Sequence, residues 1–333
     1  MVSTHFPPHH LGGDAVLVDY LSRELASAGH EVHVLAFPGA YSALRGTKGP
    51  GRDDGDESHV EEHLFEPPMP KMDMVRTLVF GSAPRAEREL GSLCKQLRPD
   101  VVHWHNTKGF MGTPRPLAGA ANLYTAHDYY AICPRSNLLR PDLSVCKGPY
   151  NCISCHLRWR KPPPIWRTRR NRRLTFDDRL AVISPSDFLS KEFAKEGLRV
   201  DAVINNFVPR PAAAQSPNPS DRHTLVYAGM LERHKGVTTL LRGFYESKDL
   251  QGFRLVIVGD GSSREELARL VSEMRLNDRV ELTGFVPRQR LSHIRASAAF
   301  QVIPSEWPEN APLTAIESLS FGTPIMFRSR VLL

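Results

Sequence analysis

Pro304-Ser-Glu-Trp-Pro-Glu-Asn-Ala-Pro-Leu-Thr-Ala-Ile-Glu-Ser-Leu-Ser-Phe-Gly-Thr-Pro-Ile325 is the most informative stretch of the 333-residue chain. Asn310 stands where an N-cap belongs, Pro312 suits a first turn and Gly322 a stop, so the spacing predicts a helix from about Ala311 to Phe321. Between Asn310 and Glu317 a helix turns through roughly 700° and rises ~10 Å, which points Glu317 the same way as the cap. Glu309 and Glu317 then address opposite ends of one extended ligand, with the first N–H groups of the helix available to a phosphate between them. The same two carboxylates also read as ordinary first-turn and surface groups that complement the helix dipole.

Outward from this segment the sequence alternates short β-rich runs with helical patterns. Thr224 to Ala228, Leu255 to Val258, Val280 to Thr283 and Ala298 to Ile303 read as strands, with helices starting near Lys235, Ser263, Pro287 and Asn310. Earlier in the chain Glu31 to Phe37, Asp100 to His105, Asn122 to His127 and Leu180 to Ser184 read the same way. Asp14 to Ala28 places Leu17, Tyr20, Leu21 and Leu25 on one helical face before Gly29 stops it. This is βαβ logic and implies parallel sheets. Residues 39 to 59, rich in Gly, Asp and Ser, read as a mobile loop, and the proline-rich 207 to 222 as a linker. The expected organisation is α/β: two Rossmann-like, doubly wound domains facing a cleft, residues 1–206 with a Cys-rich insertion at 133–155, then 223–333, the second incomplete.

Composition agrees with a folded chain. The 27 prolines, about 8% against a norm near 5%, favour many loops over long helices. No apolar run reaches the ~18 residues that span a bilayer, and the N-terminus lacks the pattern of a secretory signal, so a cytoplasmic location is expected. A net charge of +7 suits anionic partners such as nucleotide phosphates, nucleic acid or acidic lipid.

Glu309-x₇-Glu317, the following Gly-Thr-Pro, Lys235-Gly236 within Gly-Met-Leu-Glu-Arg-His-Lys-Gly, and Gly12-Gly13 near the start together resemble glycosyltransferase family 4, whose GT-B architecture pairs two Rossmann-like domains. The resemblance implies a retaining enzyme that moves a sugar from a nucleotide-diphosphate sugar to an acceptor hydroxyl on a glycan or a lipid-linked molecule, with no catalytic divalent metal. It assigns Glu317 to the ribose hydroxyls, Glu309 to the transferred sugar and Lys235 to the diphosphate leaving group. Gly12 and Gly13 would approach the donor or acceptor, and His127 would contact the transferred sugar. His105 is a weaker candidate of the same kind. The family's usual Arg before this Lys is Met230 here, a position Arg233 would have to cover. Bland alternatives stand beside these: a solvated Lys235, a conformational glycine pair and a strand-end histidine satisfied by backbone. Gly259-Asp260-Gly261 lacks the third glycine of a dinucleotide fingerprint, because Arg264 stands there.

Two further features stand apart. Cys133, Cys146, Cys152 and Cys155 end in a Cys-x₂-Cys pair, the spacing of a structural zinc site, with an iron–sulfur cluster, redox disulfides or no shared site as rivals. Residues 158–173 hold eight basic side chains with Trp159 and Trp166, a mixture suited to anionic membrane surface at the inner face, to nucleic acid, or to a solvated helix face. The chain also reads as truncated against the family pattern, which leads to an expectation of low stability or impaired activity. The rival functions are a zinc-stabilised nucleic-acid binder and an inactive homologue.

Overall fold

The computed structural model describes residues 1–9, 12–45, 60–147, 151–167, 174, 176–210 and 223–328. The chain forms two compact units, Met1–Asn205 and Asn206–Leu333.

The first unit is built on a seven-stranded sheet of order β3-β2-β1-β4-β5-β6-β7. Its strands are β1 (Val2–Ser3), β2 (Val32–Ala36), β3 (Val60–Leu64), β4 (Val101–Trp104), β5 (Ala121–Thr125), β6 (Leu180–Ser184) and β7 (Ala202–Val203). Every pairing is parallel, and β1 lies between β2 (Val2 opposite Leu35) and β4 (Val2 opposite Trp104). Strand order therefore reverses between β1 and β4, the point at which ligands collect beyond the carboxyl ends of such sheets. Helix α1 (Gly13–Ser27) begins at Gly12, whose φ of 100° favours glycine, and Gly29 (φ 90°) follows its end. Its Val18 and Leu25 pack with Phe6 on Val32, Val34, Ala36 and Val60, so the sheet's first face is closed by the helix the apolar spacing predicts.

The loop expected over 39–59 is only partly tested. Residues Pro38–Arg45 form helix α2, because Pro38 presets the first turn and Gly39 and Ala40 pack tightly: a Cβ on Gly39 would lie 2.6 Å from Phe37 and from Pro70. Residues 46–59 lie outside the described residues. Helices α3 (Pro70–Phe80) and α4 (Pro84–Leu97) follow, both with proline at their starts, then α5 (Cys152–Arg158) and α6 (Asp187–Lys195).

The second unit has five parallel strands, β8 (Thr224–Ala228), β9 (Arg254–Val258), β10 (Val280–Gly284), β11 (Phe300–Ile303) and β12 (Ile325–Phe327), in the order β10-β9-β8-β11-β12. This is the same doubly wound order, and it reverses between β8 and β11. Leu225, Tyr227, Leu255 and Ile257 pack on one face against Leu241 and Phe244 of α7 (Val237–Glu246) and Leu267 and Leu270 of α8 (Arg264–Glu273). Val226, Ala228, Val256 and Val258 face Leu291 and Ile294 of α9 (Arg288–Ser297). Such two-sided burial explains why these strands read as continuous apolar runs. Four of the strands are legible in the sequence; β12, three residues long and following Gly-Thr-Pro, is not.

The helix expected from Ala311 to Phe321 is shorter. Helix α10 spans Leu313–Ser320, its N-cap is Pro312, and Ala311 sits in the left-handed region at φ 43°. A proline disfavours helical backbone in the residue before it, so the chain enters the helix only after Pro312 and Asn310 is not the cap.

The loops that leave β8 and β9 touch backbone to backbone. A Cβ on Gly259 (φ 134°) would lie 1.9 Å from the Gly229 carbonyl oxygen, whereas one on Gly243 in α7 would meet nothing within 4 Å. Gly259→Ala is expected to lower stability by at least ~1–3 kcal/mol, and Gly243→Ala to raise it by ~0.5–1 kcal/mol, both read as shifts in the urea midpoint at constant slope.

Candidate functional site

In the second unit the loops after β8 and β11 are stitched together. The turn Arg233–Lys235 ends at Gly236 (φ 71°), where a Cβ would lie 2.1 Å from the Pro304 carbonyl oxygen, and Glu306 N–H donates to the His234 carbonyl at 2.9 Å. This close approach brings Lys235 and Glu309 together from opposite sides of the strand-order reversal. Lys235 Nζ donates to Glu309 Oε1 at 2.7 Å, with 17% of the lysine side chain and 9% of the glutamate side chain exposed. Ser305 Oγ donates to the same oxygen, and Trp307 lies with its ring centroid 4.9 Å from Lys235 Nζ. Burial pushes the Glu309 carboxyl up, but the Lys235 charge and the hydrogen bonds from Lys235, Ser305 and Trp307 together outweigh it and hold the group below its ordinary range. Glu309 is therefore held as a buried carboxylate beside a partly buried Lys235.

Glu317 has its own cation. Arg295 Nη1 of α9 lies 2.6 Å from Glu317 Oε2, and Arg295 Nη2 donates to Thr314 Oγ1 at 3.0 Å. Arg295 is 5% exposed, and its carbonyl accepts from Thr323 Oγ1 at 2.6 Å. Nothing in the sequence marks this arginine: it sits in a helix with two others and only packing selects it. Met230 occupies the position noted above and its carbonyl accepts from the buried Tyr227 hydroxyl at 2.7 Å. Arg233 is exposed on the turn. The Gly259–Gly261 turn forms a wall beside them: Leu231 N–H donates to Asp260 O at 2.9 Å and Ser263 N–H to Leu231 O at 2.8 Å.

In the first unit Gly12 and Gly13 open α1, and Asp14 in its first turn accepts from Asn106 Nδ2 at 2.6 Å. His127 follows β5. Its Nε2 lies 3.0 Å from His105 Nδ1, with the two rings stacked at 5.3 Å and 23°. His103 continues the column, 4.0 Å from the His105 ring, and its Nε2 lies 2.8 Å from Thr125 Oγ1. The alternation His103-x-His105, on β4 and just past its end, puts both on one face, a period-2 signal that would have found the column in the sequence. Burial lowers the pKa of all three, with His127 opposed by the charge of Asp14 and His105 further lowered by its two neighbours. Behind His127, burial raises Asp128 to about 6 and lowers Lys108 to about 8, each partly offset by the other's charge.

The remaining expectations meet mixed outcomes. Burial first, and then Cys133 and Cys146, raise the Cys155 thiol, so these three gather; yet no three of the four cysteine sulfurs come within 4.8 Å of one another. A closed four-thiolate zinc shell needs sulfurs closer than that, so this arrangement does not fit one. Of the basic stretch 158–173, residues 168–173 lie outside the described residues. Both tryptophans are engaged within the fold, contrary to the idea that they insert into lipid or stack on bases. Trp166 Nε1 donates to Leu78 O at 3.0 Å with its ring against Gly81, and Arg135 lies 4.2 Å over Trp159. Arg167 is 1% exposed and donates to the carbonyls of Tyr130 and Ala131 at 2.6 and 3.0 Å. An Asp-x-Asp triplet, the pattern that holds a metal–diphosphate in other transferases, is present as Asp54-Gly55-Asp56 but lies outside the described residues.

The histidine column sets a pH dependence. Burial, then the charge of His127, depress the His103 pKa from 6.5 to about 3. A depressed pKa leaves stability intact above the unfolded value and erodes it as the pH falls from 6.5 toward 3, by up to ~1.4 kcal/mol per pH unit for each such histidine. His103→Gln is expected to flatten that slope by about one proton, measured by urea unfolding at pH 7, 6 and 5.

Comparison with known proteins places this geometry. The model for Glycosyltransferase Family 4 matches residues 11–210, and that for Glycosyl transferases group 1 matches residues 210–329. The chain is 30% identical over 109 residues to an uncharacterized glycosyltransferase of Methanocaldococcus jannaschii, covering 33% of this chain and 28% of that relative. It is 24% identical to the 2-deoxystreptamine N-acetyl-D-glucosaminyltransferase of Streptomyces fradiae over 95% of this chain and 74% of the relative. Among solved structures, sucrose-phosphate synthase from Thermosynechococcus elongatus superposes with a TM-score of 0.66 at 19% identity, covering 98% of this chain and 80% of that one. Anabaena HepE in complex with UDP and glucose gives 0.60 at 16% identity, covering 97% and 78%. These two likenesses speak to the fold, which is that of the GT-B transferases. The model matched over residues 11–210 covers more than half of the sequence, so the chain belongs to glycosyltransferase family 4.

Proposed function

We propose that the protein transfers a glycosyl group from a nucleotide-diphosphate sugar to an acceptor hydroxyl with retention of anomeric configuration. The observation that carries this reading is the partly buried Lys235–Glu309 pair at the strand-order reversal of the second sheet. A polar pair held against burial at that place is chemistry kept for a ligand, since an isolated structural ion pair gains little there. Lys235 supplies positive charge to a departing diphosphate, and Glu309, kept ionised, accepts from sugar hydroxyls. Glu317, aligned by Arg295, accepts from the ribose hydroxyls. Met230 removes one cation from this set, and Arg233 is the exposed side chain that replaces it. A UDP-sugar donor agrees with the ligands of HepE. No catalytic metal enters this reading.

On the acceptor side the reading uses Gly12, Gly13 and His127. His105 holds His127 Nε2, which fixes the ring's orientation toward the loop beyond the carboxyl end of β5. The acceptor is a hydroxyl of a glycan or of a lipid-linked sugar. No helix among the described residues is long and apolar enough to cross a membrane. Peripheral contact with an anionic surface is supported instead by Leu157 (58% exposed), Phe80 and Ile165 beside the exposed Arg158, Arg160 and Lys161.

Thermal shift with UDP-, GDP- and ADP-sugars tests the donor. One donor is expected to raise Tm, and Glu317→Gln to abolish the shift while leaving the Tm of the free protein within a few degrees. Gln is the right variant because its amide oxygen still accepts from Arg295, whereas Glu317→Ala would leave the buried guanidinium with neither counter-charge nor acceptor at that place. No response to any donor would sink the reading. Flotation with vesicles is expected to depend on anionic lipid and to be lost when Arg158, Arg160 and Lys161 are changed to Glu.

A further inference from the structure

We propose that His33, His63 and Glu61 form a zinc site on the β2–β3 edge of the first sheet, separate from the transferase chemistry. Parallel register sets His33 opposite Glu61 and Leu35 opposite His63, so all three side chains stand on one face. The face is opposite to the one covered by α1, since Val32, Val34 and Val60 point into that helix. His33 Nδ1 lies 3.1 Å from His63 Nε2 and 3.4 Å from Glu61 Oε2, and His63 Nε2 lies 3.6 Å from Glu61 Oε1. Ligand atoms ~2.0–2.1 Å from a tetrahedral zinc stand about 3.3 Å apart, so the donor triangle already has the required size. It is the one group of three or more such side chains among the described residues whose ligand atoms gather within 4.8 Å.

A second observation fixes the tautomer. His33 Nε2 lies 2.9 Å from Glu31 Oε1, so the ring donates its Nε2–H to that carboxylate and turns an Nδ1 lone pair toward His63 and Glu61. A carboxylate behind a ligating imidazole is the arrangement that orients histidines at zinc and raises their basicity. In this geometry His63 Nε2–H donates to His33 Nδ1; zinc binding at Nε2 takes the other neutral tautomer of His63, its proton carried on Nδ1, so that both rings offer lone pairs to the cation with no net loss of a proton. Two imidazoles and a carboxylate suit Zn²⁺ over Mg²⁺ or Ca²⁺, and a fourth position remains for water. The site would clamp the edge strand β3 to β2.

The test uses the full chain carrying Cys152→Ser and Cys155→Ser, to remove thiols that compete for zinc. After chelator treatment and dialysis, calorimetric titration with ZnCl₂ is expected to show one equivalent bound, and His33→Ala with His63→Ala to show none. Glu31→Gln, a change at a side chain 85% exposed, should weaken binding about 10–100-fold without touching the fold. Co²⁺ in place of zinc should give the intense visible bands of a tetrahedral site, absent from the double variant. Equal zinc uptake by the double variant, no uptake by the parent, or cobalt spectra of octahedral type would each overturn the proposal.

Discussion

A carboxylate taken out of water is tolerated only when a cation and hydrogen bonds come with it, and the second unit is arranged around that constraint twice. Glu309 is buried because Lys235 is brought to it, and Lys235 is brought to it because Gly236 lets one loop touch the carbonyl of Pro304. Glu317 repeats the solution with Arg295. The backbone contacts between loops, possible only with hydrogen in place of a side chain, are thus upstream of the electrostatics. Without them the two ions would part, and each would draw water into the crevice.

The first unit handles its polar groups differently. There the strand ends beyond the β1–β4 reversal carry imidazoles that are kept neutral by burial and by one another, along with a lysine and an aspartate whose affinities for protons have moved toward each other. One half presents fixed charge and the other presents groups able to exchange protons near neutrality.

Much of this was legible in the sequence. The parallel strands announce themselves as apolar runs such as Leu255 to Val258 because both sheet faces are covered, and α1 because its apolar spacing is regular. Glu309 and Glu317 stand out by their spacing, and Lys235 by the family resemblance. What escaped was set by contacts between distant segments. The start of α10 is hidden because Asn310 reads as a cap while Pro312 controls Ala311. Arg295 is one arginine among several until packing selects it, and α2 forms only because Gly39 fits between Phe37 and Pro70. Arg167 and Trp166 read as part of a basic surface, yet local composition gives no sign that the fold consumes both.

The three adjoining rings of His103, His105 and His127 carry one more implication. Imidazoles this close cannot share more than a single positive charge, since a second would face the first across a few ångströms of dry interior. Of the three seats, only that of His127 has a carboxylate, Asp14, to favour an arriving proton. The column thus turns protons away most firmly at its two inner rings, and least so at His127, where Asp14 partly offsets the effect of burial at the turn where α1 begins.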